Sequence, residues 1–257
     1  MDVLYLVAYD RRVRAVVILL LVVGTASADT SKLAKDATPI QPREVMRGKD
    51  KLCCGYPLVD DQQWALCFYW LATEESFQDL DSAAKPGRGP AIPADSFVDL
   101  YTPEGWFLQR VSERFAWNLR LEGSGLMMDG RVVNYRGKCD YGYGTCFAQL
   151  DTKTHPFGKG AGWRAIVPFK SVAVDRDLVP IGTPLYIPEF DGMQLPDGSI
   201  HDGCVRADDT GGGIKKRKMD FFVVTYGNFR FLLEQLLGVN WITPHVQAPR
   251  CQYLLQR

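Results

Sequence analysis

Several things are scarce in this chain, and each scarcity narrows its function. Its 30 lysines and arginines cancel its 30 aspartates and glutamates, so no net field points to nucleic acid or to an anionic membrane surface. Only three histidines occur and no Cys-x-x-Cys pair, which leaves little for a zinc site, and no EF-hand spacing is present. Neither a metal nor any other cofactor is expected. No internal repeat is visible. The apolar run AVVILLLVVG at residues 15–24 is too short to span a bilayer comfortably.

That run has another use. Arg11, Arg12 and Arg14 precede it, and TASA with Ala26 and Ala28 follows it. A charged start, a short apolar middle and small residues at the end describe a secretory signal peptide, residues 1–28, cut after Ala28. Asp29, not cysteine, stands directly after the small residues, so lipid anchoring is not indicated, and no stable membrane span is expected after cleavage. The protein is expected to be periplasmic or extracellular.

All seven cysteines (Cys53, Cys54, Cys67, Cys139, Cys146, Cys204 and Cys251) fall after that cut. In an oxidising compartment disulfides are the default, and an odd count leaves one thiol free or intermolecular. Cys139 and Cys146 flank the Gly/Tyr-rich turn DYGYGT and are expected to form a local bridge.

Residues 29–62 are polar and lack periodicity, and read as a leader segment. The texture changes at Trp64, where WALCFYW reads as a buried strand. A Pro/Gly-rich loop over 76–96 and the strand FVDLY follow. QRVSERFAWNLRL, with Val111, Phe115, Trp117 and Leu119, fits a short amphipathic helix ended by the glycines of EGSG. SVAVD, GTPLYIPEF, CVRAD and MDFFVV are strands, and LPDGS is a turn. NFRFLLEQLLG places Phe229, Leu232, Leu233, Leu236 and Leu237 on one helical face closed by Gly238. Many short strands with Gly/Pro turns and two small helices predict an all-β barrel or sandwich. Residues 63–238 are assigned to that domain and 239–257 to a C-terminal tail.

The chemistry concentrates in RADDTGGGIKKRKMDFF, residues 206–222. Three chemistries use such carboxylates. An aspartic protease needs two DTG motifs, from two lobes or two subunits, and this chain has one. A hard-cation site would draw on His201, Asp202, Asp208 and Asp209. Glycan cleavage needs one carboxylic acid kept protonated near neutrality, by burial or by a neighbouring like charge. Asp209, with a second aspartate on the next strand at Asp220, supplies that pattern. Thr210, Gly211, Gly212 and Lys215 are the expected substrate contacts, since glycine backbone lets a sugar approach closely. The cationic run Lys215–Lys218 would lower a neighbouring carboxyl pKa unless it faces water, as short charge runs usually do. Glu122 is a further carboxylate, and Trp106, Tyr135 and Trp163 are aromatic side chains able to stack on sugar rings.

Three blocks in order, SVAVDRDLVPIGTPLYIP, HDGCVRADDTGGGIK and MDFF, resemble the 3D domain, named for three aspartates. It is shared by membrane-bound lytic transglycosylase A and many exported bacterial proteins. LCFYW, EGSG and DGRVVNY are similar to upstream parts of the exported members, so the likeness covers about residues 64–226. It implies a six-stranded double-psi β-barrel with Asp175, Asp209 and Asp220 at one mouth. It also implies cleavage of the MurNAc–GlcNAc bond of peptidoglycan without water, giving 1,6-anhydro ends, with Asp209 as acid and base. Asp175 and Asp220 would hold Asp209, raise its pKa, or bind substrate. The expected partners are peptidoglycan glycan strands and not nucleic acid. A non-catalytic glycan-binding envelope protein on the same barrel is the alternative. Lys216 stands where the family usually has glycine, a cost of about 1 kcal/mol if that position needs positive φ.

Overall fold

The structure, a computed structural model, describes residues 56–58, 63–77 and 91–256. The signal peptide, Cys53 and Cys54, and nearly all of the leader segment lie outside the described residues. Among the described residues no helix is long and apolar enough to cross a membrane.

In chain order the first strands are β1 (Tyr56–Pro57), β2 (Trp64–Tyr69), β3 (Ala72–Thr73), β4 (Phe97–Tyr101), β5 (Phe107–Ser112), β6 (Ser124–Leu126) and β7 (Val132–Lys138). They are followed by β8 (Thr145–Leu150), β9 (Ser171–Ala173), β10 (Pro184–Gln194), β11 (Ile200–Asp209), β12 (Lys218–Phe222), β13 (Trp241–Ile242) and β14 (His245–Val246). Helix α1 spans Glu113–Glu122 and helix α2 Tyr226–Gln235. The protein is thus mostly β with few helices, as its short apolar runs and frequent turns imply.

One sheet has eight strands in the order β1-β14-β10-β11-β9-β12-β2-β13. Within it β12 pairs β2 and β11 pairs β9 in parallel, while β10–β11, β9–β12 and β2–β13 are antiparallel. β13 and β14 belong to one segment, residues 241–246, yet β13 pairs β2 and β14 pairs β10. The sheet therefore curls until both ends of the run β10-β11-β9-β12-β2 meet the same piece of chain. Thr243 secures the closure, its hydroxyl donating to Glu189 of β10 at 2.6 Å.

Alternation along the strands decides which side chains enter the main core. Trp64 of β2, Val172 of β9, Leu185 and Ile187 of β10, Val205 and Ala207 of β11, and Met219 and Phe221 of β12 are all fully buried in one cluster. Side chains of the opposite parity on β2, β9 and β12 (Tyr69, Ala173, Phe222) face the other way, into a smaller cluster with Ile166 and Ile214.

The second sheet runs β3-β6-β7-β8-β4-β5 and has its own core of Leu100, Val111, Phe115, Leu119, Val133 and Phe147. So the stretch assigned at 63–238 to one barrel holds two sheets. The expected helix at 109–121 begins later. Gln109 and Val111 pair with Leu100 and Val98 across β4–β5, and the Ser112 hydroxyl accepts the Phe115 N–H to start α1. Gly123 closes α1 at φ 83°, returning its N–H to the Leu119 carbonyl. α2 docks through Phe229, Leu232 and Leu236, while Leu233 and Leu237 of its predicted apolar face are exposed.

The Cys139–Cys146 bridge forms as expected. A second disulfide joins Cys204 to Cys251 across 47 residues. The C-terminal stretch is therefore not a tail: β13 and β14 sit in the main sheet, and the 3-10 helix Pro249–Gln256 buries Cys251 and Leu254.

Candidate functional site

Strand register gathers the carboxylates. Ala173 of β9 pairs with Asp209 on one side and Asp220 on the other, and Asp220 in turn pairs with Cys67 of β2. Residues paired across a sheet present their side chains on one face, so Asp209 and Asp220 stand astride Ala173 on the face opposite the main core. Two residues along β2, Tyr69 pairs with Phe222 on that same face.

Val205 and Ala207 face the main core, and strict alternation would send Asp209 after them; the register shift between Ala207 and Asp209 pairs it with Ala173 instead. Such a bulge re-aims one side chain and breaks the strict alternation. Asp208 lies on the side of β11 that alternation shares with Arg206, buried against Ser171 Oγ at 2.6 Å and Arg206 Nε at 2.5 Å. Arg206 is itself clamped by the Leu254 carbonyl at 2.5 Å. Burial lifts the Asp208 carboxyl, and the Arg206 and Ser171 bonds pull it back.

Asp209 is the most perturbed carboxyl of the group. Burial, reinforced by the charge of Asp208, raises its pKa to about 7. Three donors oppose that rise without cancelling it: the Thr210 N–H at 2.8 Å, the Tyr69 hydroxyl and the Ala161 N–H. The Tyr69 oxygen is buried with no partner in strict hydrogen-bond geometry, yet it lies close enough to favour the ionised form of Asp209. Burial and the surrounding charges of Asp209, Asp220, Asp208 and Glu122 hold the phenol far above its ordinary value. Tyr69 is therefore a donor at any working pH. Glu122 arrives from the end of α1, where Oε2 accepts the Trp70 N–H at 3.3 Å.

Asp175 does different work. Its carboxylate accepts the Lys216 N–H at 2.7 Å and the Asp177 N–H at 3.3 Å, and those bonds lower its pKa. It thus pins the turn that links β11 to β12. The like charge acting on Asp209 comes from Asp208, and Asp175 is not among the groups that shift it.

Lys216 adopts φ 57°, the left-handed conformation that glycine tolerates without penalty. Replacing Lys216 with Gly is expected to stabilise the fold by about 1 kcal/mol, read as a higher urea midpoint with unchanged m. A lower midpoint would show that the Asp175 bond needs the lysine. Residues 215–217 are exposed, and the Lys215 charge falls on Asp175. Gly212 and Gly213 are exposed with open space where a side chain would project, whereas Gly211 sits against Ile214.

The loop 157–166 forms the lip over Asp209. A side chain at Gly160 would collide with the Asp208 carbonyl, so only glycine lets this loop approach. Trp163 on this lip is 71% exposed and Trp106, in the turn before β5, 73%. The four residues considered for a metal are committed elsewhere. His201 donates Nε2–H to the Phe169 carbonyl at 2.7 Å and accepts the Gly203 N–H on Nδ1 at 2.9 Å. Asp202 binds Lys170 and Tyr253. Among the described residues no three His, Cys, Asp or Glu side chains converge as metal ligands.

The arrangement brings together an aspartate whose pKa is raised to about 7, a second carboxylate on the same rung and a buried phenol beside the first. Residues 170–229, which include Asp175, Asp209 and Asp220, match the 3D domain. No curated protein matches the chain. Among solved structures it is similar to Escherichia coli MltA with bound chitohexaose, at 16% identity over 63% of this chain and 65% of that one, TM-score 0.41. It is also similar to the membrane-bound lytic murein transglycosylase of Agrobacterium tumefaciens (16% identity, 55% and 49%, TM-score 0.36). MltA of Neisseria gonorrhoeae is similar at 16% identity over 55% and 47%, TM-score 0.39. The chain spans less than two thirds of these proteins' lengths.

Proposed function

We propose that this protein is an exported peptidoglycan lytic transglycosylase, with Asp209 as its acid and base. The observation that carries the reading is the rung Asp209–Ala173–Asp220, which places a carboxyl protonatable near neutrality beside a second carboxylate. The 3D-domain match over both residues supports it. The curled sheet, closed by residues 241–246, is read as the six-stranded double-psi barrel.

The chemistry needs one group. Protonated Asp209 gives its proton to the oxygen between MurNAc and GlcNAc as the C1–O bond breaks. The carboxylate left behind accepts the proton of the sugar's own 6-hydroxyl as O6 bonds to C1. No water is consumed, and Asp209 ends protonated again. Both halves require a group whose two forms differ little in energy at the working pH, which burial provides for Asp209. Tyr69 steadies the carboxylate between the two transfers. Asp220 completes the site, and Thr210, Gly211, Gly212 and Lys215 border it.

Activity is expected to fall as pH rises through about 7, where Asp209 loses its proton. Tyr69→Phe removes a donor that favours the carboxylate, so the descending limb is expected to move to higher pH in a pH–rate profile. An unmoved limb would sever Tyr69 from Asp209. The test of the function is release of soluble muropeptides from purified sacculi in the presence of EDTA. Release that EDTA abolishes and a divalent ion restores would contradict the account. Co-sedimentation with sacculi without release would replace it with the non-catalytic glycan-binding reading.

A further inference from the structure

We infer that Trp163, Lys159 and Arg136 form a recognition subsite beside Asp209 for a sugar ring that carries a carboxylate. The inference rests on the glycan-cleaving reading of the site and names what that site selects.

Trp163 is a large apolar side chain left 71% exposed, on a backbone at φ 66° that side-chain-bearing residues avoid. Exposure and strain both cost stability, and the fold holds the residue there regardless. The Lys159 N–H is tied to Asn134 Oδ1 at 2.9 Å, the Gly160 N–H to the Arg164 carbonyl at 2.9 Å, and His155 Nε2 lies 3.3 Å from the Trp163 carbonyl. Strain maintained by such a set of bonds points to a side chain displayed for use. It stands on the same loop as Ala161, two residues earlier, whose N–H is directed at Asp209.

The charges around the ring state what it would accept. Lys159 Nζ lies 2.8 Å from the indole centroid and Arg136 Cζ 5.8 Å from it. Neither cation forms an ion pair among the described residues. Glu104, which is exposed and held by Thr102, feels the Arg136 charge. Loss of hydration and the nearby Arg136 charge lower the Lys159 pKa, so the two cations repel each other. An anion placed between them relieves that repulsion, and the indole offers a flat surface for the sugar that bears it. A neutral sugar would use the ring and leave the cations idle.

On peptidoglycan a carboxylate has two sources, the lactyl group on the ring and the stem peptide. Binding is measured with the chain carrying Asp209→Asn, which keeps the ligands intact, against three probes at low salt. The probes are chitohexaose, glycan strands stripped of peptide by an amidase, and peptide-bearing strands. At least one carboxylate-bearing probe is expected to bind about tenfold more tightly than chitohexaose. Lys159→Gln with Arg136→Gln should erase that preference, as should raised salt. Trp163→Ala should weaken all three probes by a similar factor, about tenfold, and Trp163→Tyr should restore most of the loss. Preference already present for stripped strands assigns the lactyl carboxylate, and preference confined to peptide-bearing strands assigns the stem. Equal affinity for all three probes, or a preference that survives loss of both cations, overturns this proposal alone. Failure to bind any probe overturns it together with the glycan reading.

Discussion

Replacing Asp209 with Asn is expected to lower the rate of glycan cleavage by about 10²–10⁴-fold and, at the same time, to make the protein more stable. The first effect follows from losing the only group that both gives and takes the proton. The second follows from linkage. Burial first, and then the charge of Asp208, raise the carboxyl from 3.8 to about 7, so the folded state favours the protonated form. Its stabilising contribution is fully present below pH 3.8 and is lost as pH rises to about 7. That loss is about 4 kcal/mol at and above neutrality. Asparagine is neutral throughout and still offers an oxygen to the Thr210 N–H. The variant's melting temperature should therefore pull ahead of wild type between pH 4 and 7 and hold its lead above that, by roughly 10 °C for a protein of this size. Thermal melts over this pH range decide it: parallel curves would mean that Asp209 is not desolvated. If Asp220→Asn shows both effects and Asp209→Asn neither, the two aspartates exchange roles.

Breaking the Cys204–Cys251 bridge has the other large expected effect. It closes a loop spanning 47 residues, and in the chain-entropy account its removal costs about 4 kcal/mol. The cost reaches the site as well. Leu254, three residues beyond Cys251, holds Arg206 through its carbonyl, and Arg206 holds Asp208. Cys251→Ser should lower the urea midpoint strongly and also change the pH–rate profile, because Asp208 contributes to the Asp209 shift. A variant that loses stability but keeps the wild-type profile would show that the C-terminal segment braces the fold without tuning the acid.

Much of the site is legible in the residues themselves because its chemistry is local in sequence. Asp209 and Asp220 sit in one seventeen-residue stretch, and the alternation in MDFF already turns Asp220 away from Met219 and Phe221. The same alternation in WALCFY carries Tyr69 to that face, a signal present in the strand pattern but not tied to the aspartates until register is known. The side on which Asp209 lies is different. Simple alternation sends it after Val205 and Ala207 toward the main core, and only the bulge, which no residue type announces, pairs it with Ala173. Lys216 shows the opposite case, since a lysine in a glycine position predicts its own positive φ.

Where the fold was missed, the missing information was long-range. Gln109–Ser112, the start of the expected helix, instead belongs to an edge strand because β4 pairs with it. Residues 239–257 show no periodicity, yet β13, β14 and the Cys251 bridge make them integral to the main sheet. The contacts that decide this join residues far apart in the chain, such as Ala65 with Trp241 and Tyr186 with His245.

The central claim is that Asp209 cleaves glycan without water. Mass spectrometry of the muropeptides released from purified sacculi by the wild-type protein and by its Asp209→Asn variant tests it most directly. The account predicts 1,6-anhydro muropeptides from wild type and none from the variant. Reducing-end products from wild type, or anhydro products from the variant, would contradict it.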